Sequence, residues 1–205
     1  MIALTIVCAI ATAVLVVAEW KRLRIVQIIA KTIAALAFLG VGLLASRGAP
    51  AYAMWIVAGL ALGVVGDIAL LGRSNRAFMI GLAAFLLGHL AYVGAIAQVV
   101  PPPDWLARAG IPALLPVAVA AGALVQLWPH LRSLRVPVIL YVLAIVLMVI
   151  GALAVGSQRL ALGAILFFAS DLAVAREKFL VQSLANRVLG LPAYFAAQLL
   201  IAWSI

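Results

Sequence analysis

The chain has 205 residues, of which 69% are hydrophobic and 9% are charged, and its formal net charge is +9. A mean hydropathy of +1.33 is typical of an integral membrane protein and excludes a soluble globular domain, whose surface needs many more polar residues. In a soluble protein this positive charge would favour nucleic acid as a partner. Here the basic residues lie between apolar runs, where they indicate membrane topology and contact with anionic lipid. We therefore expect membrane lipids, and no nucleic acid, as partners.

Eight apolar segments predict eight transmembrane helices in an all-α membrane protein, each close to the ~17–25 residues that a helix needs to cross a bilayer. The first is expected to be a retained span, because its basic residues follow the apolar run rather than precede it. Pro101–Asp104 is predicted to be a non-helical loop at the midpoint of the chain. No gap is long enough for a soluble domain, so residues 1–205 form a single transmembrane domain. The segments are about 2–18, 25–45, 51–71, 77–99, 111–128, 136–156, 160–175 and 186–205.

Lysine and arginine are distributed unevenly between the loops. The loops after the first, third, fifth and seventh segments hold ten of them, whereas the alternate loops hold only Arg47, Arg108 and Arg159. By the positive-inside rule the first set of loops faces the cytoplasm, and both termini lie outside. We expect the protein to reside in a bacterial inner (plasma) membrane. The ten residues are Lys21, Arg22, Arg24, Arg73, Arg76, Arg132, Arg135, Arg176, Lys178 and Arg187.

Asp67 and Asp171 lie inside apolar segments, in the similar settings Gly66-Asp67-Ile68-Ala69-Leu70-Leu71-Gly72-Arg73 and Ser170-Asp171-Leu172-Ala173-Val174-Ala175-Arg176. A carboxylate in the hydrocarbon costs roughly 2.5–3.5 kcal/mol even on insertion-based scales, so such residues are usually functional. Each could instead lie at the interface and pair with Arg73 or Arg176. We favour function, because five and four mostly apolar residues separate Asp67 and Asp171 from their first basic residues. The 104-residue interval is close to four spans, which raises the hypothesis of two parallel four-helix halves.

The predicted topology places further polar residues at a depth where they could line one cavity open to the cytoplasmic half. Lys31 lies about two turns into the second span, and it either extends to the headgroups or neutralises an aspartate or phosphate. His89 is expected to hydrogen-bond or handle protons rather than bind zinc. Glycine and aromatic stripes are more often packing seams, but these stripes each contain a buried polar group that needs a partner. The remaining candidates are Tyr92, Tyr194 and Gln198.

Other sources of chemistry have no sequence support. The chain has no nucleotide-binding loop, no serine nucleophile elbow and no His-Glu-x-x-His motif. Cys8 is the single cysteine, so an intrachain disulfide and a multi-cysteine metal site are excluded. We expect no metal and no cofactor.

Together the polar positions resemble the lysoplasmalogenase-like membrane proteins, the YhhN and TMEM86 group, over nearly the whole chain and in the eight-span plan. One departure is Thr32, where the family commonly has proline, and it puts the local helix shape in doubt. The matching pieces are Lys31, Gly66-Asp67-x-x-Leu70, Phe78-x-x-Gly81-x-x-x-Phe85-x-x-x-His89-x-x-Tyr92, Pro137-x-x-x-Tyr141, Phe168-x-Ser170-Asp171 and Tyr194-x-x-x-Gln198-x-Leu200-Ile201.

The resemblance implies hydrolysis of the vinyl ether bond of lysoplasmalogens to a fatty aldehyde and glycerophospho-ethanolamine or -choline. The implied substrate is a single-chain ether lysophospholipid. That reaction needs a general acid and a base for water, and Asp67 and Asp171 are the candidates for these roles. Which of the two is the acid stays open, as does the oligomeric state. The residues expected to bind or orient the substrate are Lys31, His89, Tyr92, Tyr141, Tyr194 and Gln198.

Two other functions fit the same residues. Parallel halves with polar groups near the midplane would also serve a proton-coupled transporter. The third alternative is a non-catalytic lipid-binding membrane protein.

Overall fold

The computed structural model describes residues 1–48, 51–72 and 74–205. Over these ranges the chain is helical and contains no strand, and eight of its helical segments are long and apolar enough to cross a membrane. The predicted all-α class and the eight predicted spans are confirmed. The helices are α1 (Ile2–Trp20), α2 (Arg24–Ala45), α3 (Ala51–Leu70), α4 (Asn75–Ala97), α5 (Trp105–Ala109), α6 (Leu114–Leu127), α7 (Arg135–Val155), α8 (Gln158–Phe179) and α9 (Leu184–Ala202).

Three serines begin the helices that carry most of the site. Ser74, Ser157 and Ser183 each accept a hydrogen bond on Oγ from the backbone N–H three residues further on. Such caps satisfy donors that have no partner within the helix itself. They start α4, α8 and α9, so α8 begins slightly earlier than its predicted segment, and it continues through the charged turn to Phe179.

The proline-rich loop differs from the prediction that it is not helical. Pro102–Asp104 forms a 3₁₀ turn that leads directly into the short helix α5. Proline tolerates the first turn of a helix, because its φ angle suits the helix and the N–H it lacks would be unpaired there. Trp105 follows this turn and is buried, and its indole Nε1 donates to the Val100 carbonyl at 2.8 Å.

Consecutive helices pack as antiparallel hairpins, most extensively α1 with α2, α3 with α4, and α8 with α9. The hairpins meet around a buried centre in which α9 contacts α1, α2 and α3, and α4 contacts α7. Gly63 of α3 allows one such close approach, since a methyl group there would collide with the Gln198 side-chain amide of α9. Small residues are the usual means by which membrane helices come this close.

The loops between α1 and α2 and between α8 and α9 lie at the same end of the bundle, where Arg187 of α9 pairs with Glu19 of α1. This is the end that carries the excess of basic residues. Its assignment to the cytoplasm, with both termini outside, remains a prediction from the charge distribution.

Candidate active site

A cavity of about 350 Å³ opens among the helices near the end with the basic loops. Its volume lies within the range of small-molecule sites, and its wall is mostly apolar with a few polar side chains, as is usual for such sites. Both aspartates line it. The sequence-predicted site residues in its wall are Lys31, Asp67, Tyr141, Asp171 and Tyr194.

Asp67 is almost fully buried on α3 and has two partners from other helices. Its Oδ1 lies 3.1 Å from Nζ of Lys31 on α2, and its Oδ2 accepts a 2.7 Å hydrogen bond from the Tyr194 hydroxyl on α9. The Lys31 ammonium therefore points inward to a carboxylate rather than outward to the headgroups. An ammonium at this distance lowers the cost of burying the carboxylate in its ionised form.

A chain of hydrogen bonds continues from Asp67 behind the cavity wall. Gln198 donates from Nε2 to the Tyr194 hydroxyl at 3.1 Å, and Tyr92 donates to Gln198 Oε1 at 2.6 Å. Tyr92 and Gln198 are buried and do not line the cavity. They lie where they can hold Tyr194 in place but cannot touch a molecule in the cavity.

Asp171 on α8 has a different set of partners. Tyr141 of α7 donates to Oδ1 at 3.0 Å, and Nε2 of His89 on α4 lies 3.3 Å from Oδ2. The His89 ring is fully buried and packs edge-on against Tyr141 and Phe167, with centroid separations of 5.1 and 4.5 Å. His89 thus lies behind Asp171, outside the cavity lining.

The tautomer of His89 follows from its other nitrogen. Nδ1 lies 2.7 Å from the Phe85 carbonyl oxygen, which can only accept, so Nδ1 carries a proton. In the neutral ring Nε2 then presents a lone pair to the Asp171 carboxyl. Neither Nε2 nor Oδ2 has a hydrogen-bond partner among the described residues. Two facing lone pairs repel each other, whereas a proton placed between Nε2 and Oδ2 would turn this contact into a hydrogen bond.

Among the described residues, both aspartates have partners other than those of the interfacial alternative. The observed partners of Asp67 and Asp171 come from other helices rather than from the following turns. Arg73 lies outside the described residues, and Arg176 borders a separate groove between α6 and α8.

Sequence reasoning missed a group of charged residues at the mouth of the cavity. Lys178 and Arg187 were interpreted only as topology signals, and Glu19 and Glu177 were not singled out. Their signal was present, because two of the five acidic residues lie within two positions of basic residues: Glu19 lies two positions before Lys21, and Glu177 lies between Arg176 and Lys178. The mouth is lined by Glu19, Glu177, Lys178, Asn186 and Arg187. Within the described part of the chain, no three His, Cys, Asp or Glu side chains are close enough to hold a metal ion.

The second groove meets the cavity between α6 and α8. Both spaces are lined by Ala123 and Leu127 of α6 and by Leu172 and Ala175 of α8. Residues of α6 and α8 therefore form part of the wall of both spaces.

These features define a polytopic membrane protein with two carboxylates, one buried and one partly buried, in one cavity. The chain belongs to the YhhN family, which it matches over residues 26–205, and the predicted resemblance is confirmed. It is 37% identical over 159 residues to proteins named lysoplasmalogenase from Mycobacterium bovis and Mycobacterium tuberculosis, covering 72% of this chain and 58% of each relative. It is 31% identical over 165 residues to lysoplasmalogenase TMEM86A of Bos taurus, covering 73% of this chain and 64% of the relative.

The matched region thus spans about three-fifths of the length of these curated relatives. No solved structure matches the chain.

Proposed function

We propose that the protein is a membrane hydrolase that cleaves the vinyl ether bond of lysoplasmalogens. The products would be a fatty aldehyde and glycerophospho-ethanolamine or -choline. One observation carries the proposal: two carboxylates line one apolar cavity, and Asp67 faces an ammonium while Asp171 faces an imidazole. The names of the relatives, lysoplasmalogenase, support the same activity.

The chemistry of the bond explains why two different carboxyl groups are useful. Hydrolysis begins when an acid transfers a proton to the β-carbon of the vinyl ether, which leaves an oxocarbenium cation at the carbon bonded to oxygen. Water adds to that carbon and gives its proton to a base. The resulting hemiacetal then collapses, so that its hydroxyl proton is removed and the glycerol oxygen is protonated as it leaves.

Asp171 is the residue suited to the first proton transfer. It lines the cavity and it contacts His89, with which it can share one proton. His89 does not line the cavity, so the carboxyl is the group that can reach the substrate carbon. The imidazole would restore the proton after each transfer, and the Tyr141 hydroxyl orients the carboxyl through Oδ1. General acid catalysis of this kind contributes about 10²–10⁴-fold to a rate.

Asp67 is suited to the opposite role. Held as an anion by Lys31 and by the Tyr194 hydroxyl, it would stabilise the oxocarbenium cation and accept the proton of the attacking water. A wall of aromatic and aliphatic side chains would strengthen this electrostatic effect, because it excludes bulk water. Three roles were open to Lys31 from the sequence alone, which were extending to the headgroups, neutralising a phosphate and neutralising an aspartate. The position of Lys31 supports the last of these, with Asp67 as the partner.

The groove between α6 and α8 suggests how a lipid reaches the site. A single alkyl chain could pass between Ala123 and Ala175 while its headgroup stays at the polar mouth. The aldehyde product is equally apolar and could leave by the same route. On the predicted topology the site opens to the cytoplasmic half of an inner membrane.

The direct test is turnover by the purified protein in detergent. We expect aldehyde release from a vinyl ether lysolipid, and no comparable release of fatty acid from the ester-linked lysolipid of the same chain length. A saturated alkyl ether should be inert, because it has no double bond to protonate. Turnover of none of these lipids, combined with pH-dependent uptake in proteoliposomes, would favour the transporter alternative and contradict the proposal.

A further inference from the structure

The charged residues at the cavity mouth come from three helices, and three of them are joined by ion pairs. Arg187 of α9 places Nη1 3.1 Å from Glu19 Oε2 on α1 and Nε 3.4 Å from Glu177 Oε1 on α8. Lys178 extends from the end of α8, with its ammonium 4.3 Å from the centroid of the Phe78 ring. These two cations and two anions all border the same cavity as the aspartates, and their charges sum to zero.

The two glutamates of this cluster have different surroundings. Glu177 is held by its own loop, since Oε2 accepts from the Ser183 backbone N–H at 2.7 Å and from Asn186 Nδ2 at 3.1 Å. The contact that Glu19 makes is with Arg187 alone among the described residues. Glu19 can therefore exchange its partner without disturbing a turn, whereas Glu177 is needed to shape the start of α9.

Arg187 is likewise able to accept another anion. Its side chain is 44% exposed, and a guanidinium presents a planar set of donors that matches a phosphate in a bidentate arrangement. The other cation deeper in the site, Lys31, is occupied by Asp67. The phosphate of a bound lipid would therefore meet its cationic partners at the mouth rather than beside the carboxylates.

We propose that this cluster is a binding site for a zwitterionic phosphate–amine headgroup, in which Arg187 and Lys178 bind the phosphate and Glu19 binds the ammonium. The inference deepens the proposed function, on which it rests, by assigning the part of the substrate that is not chemically changed. A cluster of net zero charge suits a headgroup of net zero charge. A phosphate without an amine would instead face the uncompensated repulsion of Glu19 once Arg187 turned towards it.

Three saturated alkyl ether ligands of equal chain length separate this role from a structural one. They carry a phosphoethanolamine headgroup, a phosphate monoester, or no headgroup beyond the glycerol, and their binding to the purified protein can be measured by calorimetry in detergent. In the wild type we expect the zwitterion to bind tightest. Inorganic phosphate at millimolar concentration should not compete with it, which distinguishes a lipid headgroup from a free anion.

The variants should change this order in different ways. Glu19→Gln should weaken binding of the zwitterion about tenfold or more, because the loss of a hydrogen bond to a charged group usually has an effect of this size. The affinity for the alkylglycerol should not change. Arg187→Gln should lower the affinity for both phosphate-bearing ligands, and Arg187→Lys should lower it less. Arg159→Gln, an exposed arginine whose Nη1 contacts the Trp203 carbonyl, is the matched control and should leave all three affinities unchanged.

Equal weakening of all three ligands in Glu19→Gln and Arg187→Gln would show a structural role and overturn the inference, as would an unchanged preference for the zwitterion. Aldehyde release from the vinyl ether lipid is scored separately. If the three ligands bind in the expected order of affinity but no aldehyde is released, the proposed hydrolysis is refuted and the headgroup site is retained. If aldehyde is released but the variants bind the three ligands in the same order as the wild type, the hydrolysis is retained and the headgroup site is refuted.

Discussion

At the residue scale, the two aspartates differ in the side chains that face their carboxyl groups. Asp67 contacts the ammonium of Lys31, whereas Asp171 contacts the imidazole of His89. The same residue type thus acquires two chemical characters from its surroundings, as paired carboxyl groups do in glycosidases and aspartic proteases. This difference is the basis on which we assign the base to Asp67 and the acid to Asp171.

The buried ion pair between Lys31 and Asp67 makes a prediction about stability. Lys31→Met leaves a carboxylate buried without its cation, and removing one partner of a buried pair typically costs about 3–5 kcal/mol. We expect Lys31→Met to lower the free energy of unfolding by an amount of this order. The double variant Lys31→Met/Asp67→Asn should recover most of that loss, because neither charge is then buried alone. Denaturant unfolding in detergent measures both, and a double variant no more stable than Lys31→Met would contradict the pairing.

Proton transfer to carbon makes a prediction about the product. In heavy water, the acid at Asp171 and His89 carries deuterium, and the aldehyde should contain one deuterium on the carbon next to the carbonyl. Immediate reduction to the alcohol followed by mass spectrometry measures it. Authentic aldehyde incubated with the protein serves as the control for exchange after release. An unlabelled product would rule out protonation of the β-carbon.

At the scale of elements, the site depends on how closely α3 approaches α4 and α9. Gly59 of α3 lies against the ring of Tyr92 on α4, and Gly63 lies against the hydroxyl of Tyr194 on α9. The Asp67 carboxylate is one turn beyond Gly63, so the same contact that packs α3 against α9 also positions the Tyr194 hydroxyl.

We therefore expect Gly63→Ala to be damaging. The added methyl group would displace the Gln198 amide and, through it, the Tyr194 hydroxyl, lowering both the melting temperature and the rate of aldehyde release. Gly122→Ala on α6 is the matched control, since a methyl group there meets no atom within 4 Å. Alanine favours a helix by about 1 kcal/mol over glycine, so Gly122→Ala should leave the melting temperature unchanged or raise it. Equal effects of both substitutions would contradict the packing argument.

The elements also show what sequence can and cannot supply. Hydropathy and loop charges were sufficient for the eight spans and for the shared depth of Asp67 and Asp171, because both depend on position along the chain. They did not show that Lys31 pairs with Asp67 rather than with Asp171, since that depends on how neighbouring helices are rotated and packed. Helix α5 was missed because five residues after a proline-rich turn are too short to produce a hydrophobic period.

The charged mouth was missed for a different reason. A basic residue at the end of a span is expected on topological grounds alone, so Arg187 carried no additional information until its contacts were known. Glu19 and Arg187 are 168 positions apart in the sequence and meet only in the fold.

At the scale of the whole molecule, the two carboxylates have corresponding surroundings. Each is contacted by the helix before its own and by the last helix of the other half: α2 and α9 for Asp67, α7 and α4 for Asp171. His89 follows Asp67 by 22 residues, and Tyr194 follows Asp171 by 23. This pattern agrees with the hypothesis of two parallel four-helix halves.

The correspondence breaks down at the first helix of each half. Helix α1 packs extensively against α2 and α9, whereas α6 has much smaller contacts with α7 and α8. Ala123 and Leu127 of α6, together with Leu172 and Ala175 of α8, line both the cavity and the groove. The second groove thus lies on the side of the bundle where α6 is loosely packed.

The central claim, hydrolysis by two carboxyl groups with separate roles, is tested most directly by aldehyde release from a vinyl ether lysolipid in three aspartate variants. Asp67→Asn and Asp171→Asn should each lower the rate by at least about 10²-fold, the smaller limit for general acid–base catalysis. Asp104→Asn, in the exposed turn Pro102–Asp104 that does not line the cavity, should match the wild type. A wild-type rate in either Asp67→Asn or Asp171→Asn, in folded protein, would contradict the account.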